Sequence, residues 1–199
     1  MRWTRCAAVA AQVSIAFLLV PACATAPVDR ERLASVHTIY FGAIIEPPDR
    51  PFFEKAGGPP RSLLGRANVA VDGRNAIGAA LIKEGYQFVP DERSADAVLS
   101  VIIKVADYMP DAPFGRDCKP IMLIGTKLTD ARGETLLERE YDYVDTATVP
   151  RLPGYVLLRA DPKYTDPSCS NYSQERVIAA FHDVVPLLAQ AISSELAKR

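Results

Sequence analysis

The 199 residues suffice for one domain plus extensions, and a hydrophobic share of 49% is that of an ordinary globular chain. Charges nearly cancel, at 23 Lys and Arg against 24 Asp and Glu, and a chain beginning at Cys23 is slightly acidic because Arg2 and Arg5 precede it and no acid does. That balance excludes any electrostatic case for nucleic acid or anionic headgroups as partners.

The chain opens with a short basic segment, MRWTR, an uncharged apolar one, CAAVAAQVSIAFLLV, and a small-residue segment, PACATA. This is the anatomy of a secretory signal peptide. A permanent anchor helix would need about 20 apolar residues, and the last third of this run is poor spanning material. LVPAC resembles the lipobox of bacterial lipoproteins, with Val20 and Ala22 in the aliphatic and small positions and Pro21 as a departure from the pattern. The resemblance implies a signal peptide over 1–22 and Cys23 as the lipidated N-terminus of the mature chain. Acyl chains at about 0.8 kcal/mol per buried methylene then hold it on a membrane. With Ala24 rather than an aspartate behind the cysteine, the periplasmic face of the outer membrane is implied. Two alternatives stay open: cleavage after Ala24, giving a soluble periplasmic protein, and an incidental Cys23.

Residues 23–35 read as a lipidated tether and 36–199 as a single α+β domain. VHTIYFGAII (36–45) is β-branched and aromatic, a first strand. The Pro- and Gly-rich stretch 46–66 cannot be a regular element. VDGRNAIGAALIKEG predicts a helix with Asp72 as N-cap, Ile77, Ala80, Leu81 and Glu84 at helical spacing, and Gly85 as its stop with Tyr86 packing back. QFV begins an extended segment, PDERSAD is a turn, and AVLSVIIKV (97–105) a strand with Leu99, Val101, Ile103 and Val105 on its buried face. A loop over 106–120 leads to a hairpin, IMLIGTKLTD and TLLEREYDYVD about the turn at Asp130–Glu134. A second Pro-rich excursion covers 146–173. The chain closes on an amphipathic helix with Val177, Phe181, Val184, Leu188, Ile192 and Leu196 as its stripe, which Pro186 must kink or split. The order β-α-β-β-β-α predicts an α+β fold: a mixed sheet of about four strands with two main helices on one face.

AIGAALIKEGYQFVPDERSADAVLSVII, HTIYF and TDARGETLLEREY resemble segments of a family of small bacterial envelope lipoproteins with an anticodon-binding-domain-like fold. Related architectures assist lipopolysaccharide assembly, polysaccharide or curli export, and cell-wall synthase activation. The matched positions are structural, so the resemblance implies fold and compartment and no catalytic residue.

Once Cys6 leaves with the leader and Cys23 takes lipid, Cys118 and Cys169 remain, both in Pro-rich, polar stretches. In an exported protein such a pair is expected to form a disulfide worth about 4 kcal/mol by loop closure, the alternative being two free buried cysteines. Neither has ligands at metal-site spacing, and no metal or other cofactor is expected. The two histidines, His37 and His182, carry no catalytic pattern, and no nucleophile elbow or phosphate loop appears. Tyr108, Phe114, Tyr155, Tyr164 and Tyr172 lie in the two cysteine-bearing stretches and form the candidate partner-binding surface; the alternative is that they pack those stretches onto the sheet. The expectation is a non-enzymatic accessory protein binding an envelope protein or glycan. Its rivals are a periplasmic hydrolase with unrecognised carboxylates and a subunit of an oligomeric envelope assembly.

Overall fold

A computed structural model describes residues 28–45, 65–110, 117–144, 155–167 and 173–197. The chain enters through a short helix α1 (Arg30–Ala34), capped by Asp29, whose carboxylate accepts the Arg32 N–H at 3.1 Å. Leu33 is fully buried and Val28 packs on the core. The stretch expected as a tether is therefore docked from Val28 onward, because Leu33 gives it an apolar anchor that its polar composition hides.

Strand β1 (Thr38–Ile45) follows, then helix α2 (Val69–Lys83), β2 (Gln87–Phe88), β3 (Ala97–Pro110), β4 (Cys118–Asp130), β5 (Thr135–Val144), β6 (Tyr155–Arg159) and helix α3 (Gln174–Leu196). They form one mixed sheet in the order β2-β1-β3-β4-β5-β6. β1 runs parallel to β2 and β3, β3-β4-β5 is an antiparallel meander, and β6 returns parallel to β5. The fold is α+β as expected, but the sheet has six strands rather than about four. β2 spans two residues, and β6 lies inside the stretch read as a Pro-rich excursion. Both pair in parallel, so no hairpin signal announces them.

Helices α2 and α3 pack on each other and on one face of the sheet. Ile39, Phe41, Leu99, Val101, Ile103, Met122, Ile124, Leu128, Tyr141 and Tyr143 meet Ile77 and Leu81 of α2 and the whole expected stripe of α3 in a single core. By length and apolarity α3 would pass for a membrane span, but half of that stretch is buried against the sheet, as a core helix requires.

Helix α2 starts three residues before the expected cap. Asn68 holds the N-cap position in a left-handed conformation, φ 53°, which Asn tolerates better than most residues, and Asp72 sits inside the first turn. The expected stop is as read. Gly85 has φ 90°, its N–H donates to Ile82 O at 3.0 Å, and the Tyr86 N–H donates to Leu81 O at 3.1 Å, a Schellman closure. Tyr86 is buried and its hydroxyl donates to Leu196 O at 3.1 Å, joining the C-terminal ends of both helices.

The stretch 106–120 is strand at both ends, correcting the loop expected there. Register shifts between Ile103 and Val105, so Lys104 is an extra residue and the alternation changes phase. Leu99, Val101 and Ile103 are buried as expected, while Val105 is only half-buried for this reason. In α3 the helix is not split at Pro186. The proline lies on the exposed side, where water can serve the backbone group that lacks its usual donor.

Candidate functional site at the far end of the sheet

All the strand ends and helix ends sort onto two ends of the molecule. At one lie α1, the starts of β1 and β3, the β4-β5 turn, and the C-termini of α2 and α3. At the other lie the ends of β1, β3 and β5, the start of β4, and the N-termini of α2 and α3. A cleft of about 600 Å³ opens at this second end between the first turns of α2 and α3. Its lining includes Arg66, Asn68, Asp72, Tyr164, Glu175, His182 and Asp183.

The cleft is built by cross-links between segments far apart in sequence. Arg66 donates to the Gln174 side chain at 2.9 Å, tying the entry of α2 to the start of α3. Ser173 caps α3 by accepting the Arg176 N–H at 3.2 Å. The Arg176 guanidinium donates to the carbonyls of Lys163 and Thr165 at 2.6 and 2.8 Å, which holds a 3-10 turn, Pro162–Tyr164, against α3. Asp161 caps that turn, accepting the Lys163 N–H at 3.0 Å, and the Lys163 ammonium beside it holds its carboxyl below the usual range. The Lys163 ammonium also sits 4.7 Å from the Tyr164 ring centroid.

His182 Nε2 lies 3.3 Å from Asp72 Oδ2 across the helix pair, with both side chains about half exposed. The neighbouring Asp183 faces the other way round the helix, 3.4 Å from the Tyr143 hydroxyl, which donates to Ala180 O at 2.8 Å. Burial, with Asp183 next, pushes the Tyr143 hydroxyl far up, so it stays protonated and acts as a donor. Two residues earlier, the Tyr141 hydroxyl is buried with no well-formed hydrogen bond among the described residues, and burial raises it to about 12 against a weaker opposing effect of Thr126. Among the described residues no group of three or more His, Cys, Asp or Glu side chains stands close enough to hold a metal.

The expected aromatic surface divides. Tyr108 is 5% exposed, and its hydroxyl donates to Tyr164 O at 2.8 Å, so it pins the 3-10 turn down instead of facing a partner. Tyr164 is half-buried on the cleft wall. Tyr155 pairs in register with Glu140, on the face away from the helices, and so stands apart from the cleft. Phe114 and Tyr172 lie outside the described residues, as do Cys23 and Cys169. Cys118 is buried at the start of β4 and exchanges both backbone hydrogen bonds with Asp166, at 2.9 and 2.8 Å, three positions before Cys169. Sequence reasoning missed the cleft because Asp72 and His182 are 110 residues apart; the pattern offered only the neighbouring Asp183, which does not pair with it.

No protein-family model matches this sequence, and no curated protein matches it either. Among solved structures, a minor lipoprotein from Acinetobacter baumannii is similar over 82% of this chain and 94% of its own, at 9% identity and a TM-score of 0.45. Lipoprotein B from Nitrosomonas europaea covers 80% of this chain and 83% of its own, at 10% identity and a TM-score of 0.38. The PelC dodecamer of Paraburkholderia phytofirmans covers 76% and 88%, at 13% identity and a TM-score of 0.34. Likenesses this distant leave function to be read from the chain itself.

Proposed function

We propose that the chain is a non-enzymatic accessory protein of the bacterial cell envelope. In this reading Cys23 carries lipid, the domain stands on the periplasmic face of the outer membrane, and an envelope protein or glycan docks in the cleft between α2 and α3. The observation that carries the binding role is the cleft's lining. A half-buried tyrosine, an amide and exposed groups of both charge signs surround an open volume of about 600 Å³. Such a mixture offers stacking and directional hydrogen bonds to a polar surface or a sugar chain. The Cys118–Cys169 pairing belongs to the same proposal, supported by the backbone bridge between Cys118 and Asp166.

The hydrolase reading has one observation on its side, since Asp72, Glu175 and Asp183 share the cleft. Against it, Asp72 is engaged with His182 and Asp183 lies towards Tyr143, so the carboxylates do not converge on one point.

A photo-crosslinking residue at Tyr164, compared with one at Arg132 in the β4-β5 turn, tests the docking site in living cells. A discrete adduct from position 164 alone supports the proposal. Adducts from position 132 alone would move the docking surface to the other end. For the anchor, intact mass and detergent partitioning of wild type against Cys23→Ser are the test. An acylated chain beginning at Cys23 supports it, and a water-soluble chain beginning near Thr25 overturns it.

A further inference from the structure

The place where the chain leaves the domain towards Cys23 defines which end of the molecule faces the lipid. Asp29 donates its N–H to Leu136 O at 3.3 Å, Leu33 is fully buried, and Arg32 binds the hairpin turn. Its guanidinium meets Asp130 and, at 2.5 Å, Glu134, while Asp130 also accepts the N–H groups of Arg132 and Glu134 at 2.9 Å each. Val28 packs on the core beside these contacts, so the chain is fixed at this end by Val28. Four residues separate Cys23 from Val28, and the five Cα-to-Cα steps between them reach at most about 18 Å when fully extended. Strand β3 alone, at 14 residues, is about 45 Å long. The leash is much shorter than the sheet, and it is fastened at the sheet's hairpin end.

We infer that the lipid surface is the neighbour of the hairpin end: the β4-β5 turn, α1 and the C-termini of both helices face the membrane, and the cleft end points away from it. This rests on the lipidation of Cys23 proposed above. Arg32, the base nearest the chain's entry, is paired with Asp29, Asp130 and Glu134 rather than left for anionic headgroups. The short leash and the docked α1 set it, so raising salt leaves it unchanged.

The chain supplies a clean probe, since its one tryptophan is Trp3, in the leader. Arg132→Trp places an emitter in the exposed hairpin turn and Arg159→Trp places one at the exposed end of β6. The two positions lie about 30 Å apart along β5 at 3.3 Å per residue. Each lipidated protein is reconstituted into phosphatidylethanolamine and phosphatidylglycerol vesicles holding a dansyl-labelled headgroup lipid, and energy transfer to the surface is read. Transfer several-fold stronger from position 132 than from 159 is expected. Inserting about a dozen Gly and Ser residues between Ala26 and Pro27 should erase the difference while leaving the fold intact. Equal transfer from both positions without the insertion, or stronger transfer from 159, would overturn the orientation while the anchor stands. Wild-type protein that fails to float with the vesicles would overturn the anchor, and the orientation with it.

Discussion

Asp96 and Asp107 stand at opposite ends of β3 and behave in opposite ways. Asp96, just before the strand, accepts the N–H groups of His37 and Thr38 at 2.9 and 2.8 Å, while its own N–H donates to the Thr38 hydroxyl at 2.9 Å. Those backbone donors hold its carboxyl below the ordinary value. Asp107 is 2% exposed and accepts one N–H among the described residues, that of Tyr108 at 2.7 Å, and burial pushes its carboxyl up. Asp96 serves its surroundings as an ionised acceptor that closes the backbone. Asp107 is a buried acid that burial disfavours once ionised.

The most severe way to break the contrast is at the closed end. Leu33→Ala should cost about 3 kcal/mol, the usual loss for a buried leucine, read as a lower urea midpoint of the mature domain. Asp96→Ala comes next, at about 1 kcal/mol near neutral pH for the lost hydrogen bonds. Because the folded carboxyl titrates below its ordinary 3.8, its stabilisation is present above that value and fades as pH falls through the folded value. Wild type and variant should then converge in acid, and a gap that persists there would show that charge is not what matters.

Asp107→Asn has the opposite sign. A carboxyl raised by burial weakens the fold once ionised, so the variant should be more stable than wild type at neutral pH, by under about 1 kcal/mol. Its advantage should disappear below pH 3.8, where the acid is protonated in both states. Thermal unfolding from acid to neutral pH reads both aspartates in one series. The subtlest comparison lies between two tyrosines on β5. Tyr143→Phe removes a donor from Ala180 O and should cost about 1 kcal/mol, whereas Tyr141→Phe removes an unpartnered buried hydroxyl and should be neutral or slightly stabilising.

Much of the frame was legible because its signals are local. The Leu81, Gly85 and Tyr86 spacing foretold a helix end, the Asp130 to Glu134 run a hairpin, and the steps from Val177 to Leu196 a buried stripe. What escaped was set by distant partners. The extra residue at Lys104 changes the phase of β3 with no mark in its composition. Tyr155–Arg159 is short and becomes a strand only against Glu140–Val144. The cleft was least legible of all: it needs α2 and α3 side by side, and its His182 meets an acid from the first of them. At Tyr108 the packing alternative holds, and the sequence could not choose it, because a tyrosine in a Pro-rich stretch looks the same whether its ring faces out or lies over the core.

Pro186 has a consequence for the helix that carries it. Having no N–H, it leaves the carbonyl of His182 without the donor that a helix supplies four residues on. That carbonyl is left to water on the exposed side of α3. Replacing Pro186 with alanine returns that carbonyl to the helix, so a more heat-resistant domain is the outcome to look for in thermal unfolding. At this one position the sequence leaves α3 one hydrogen bond short in its middle.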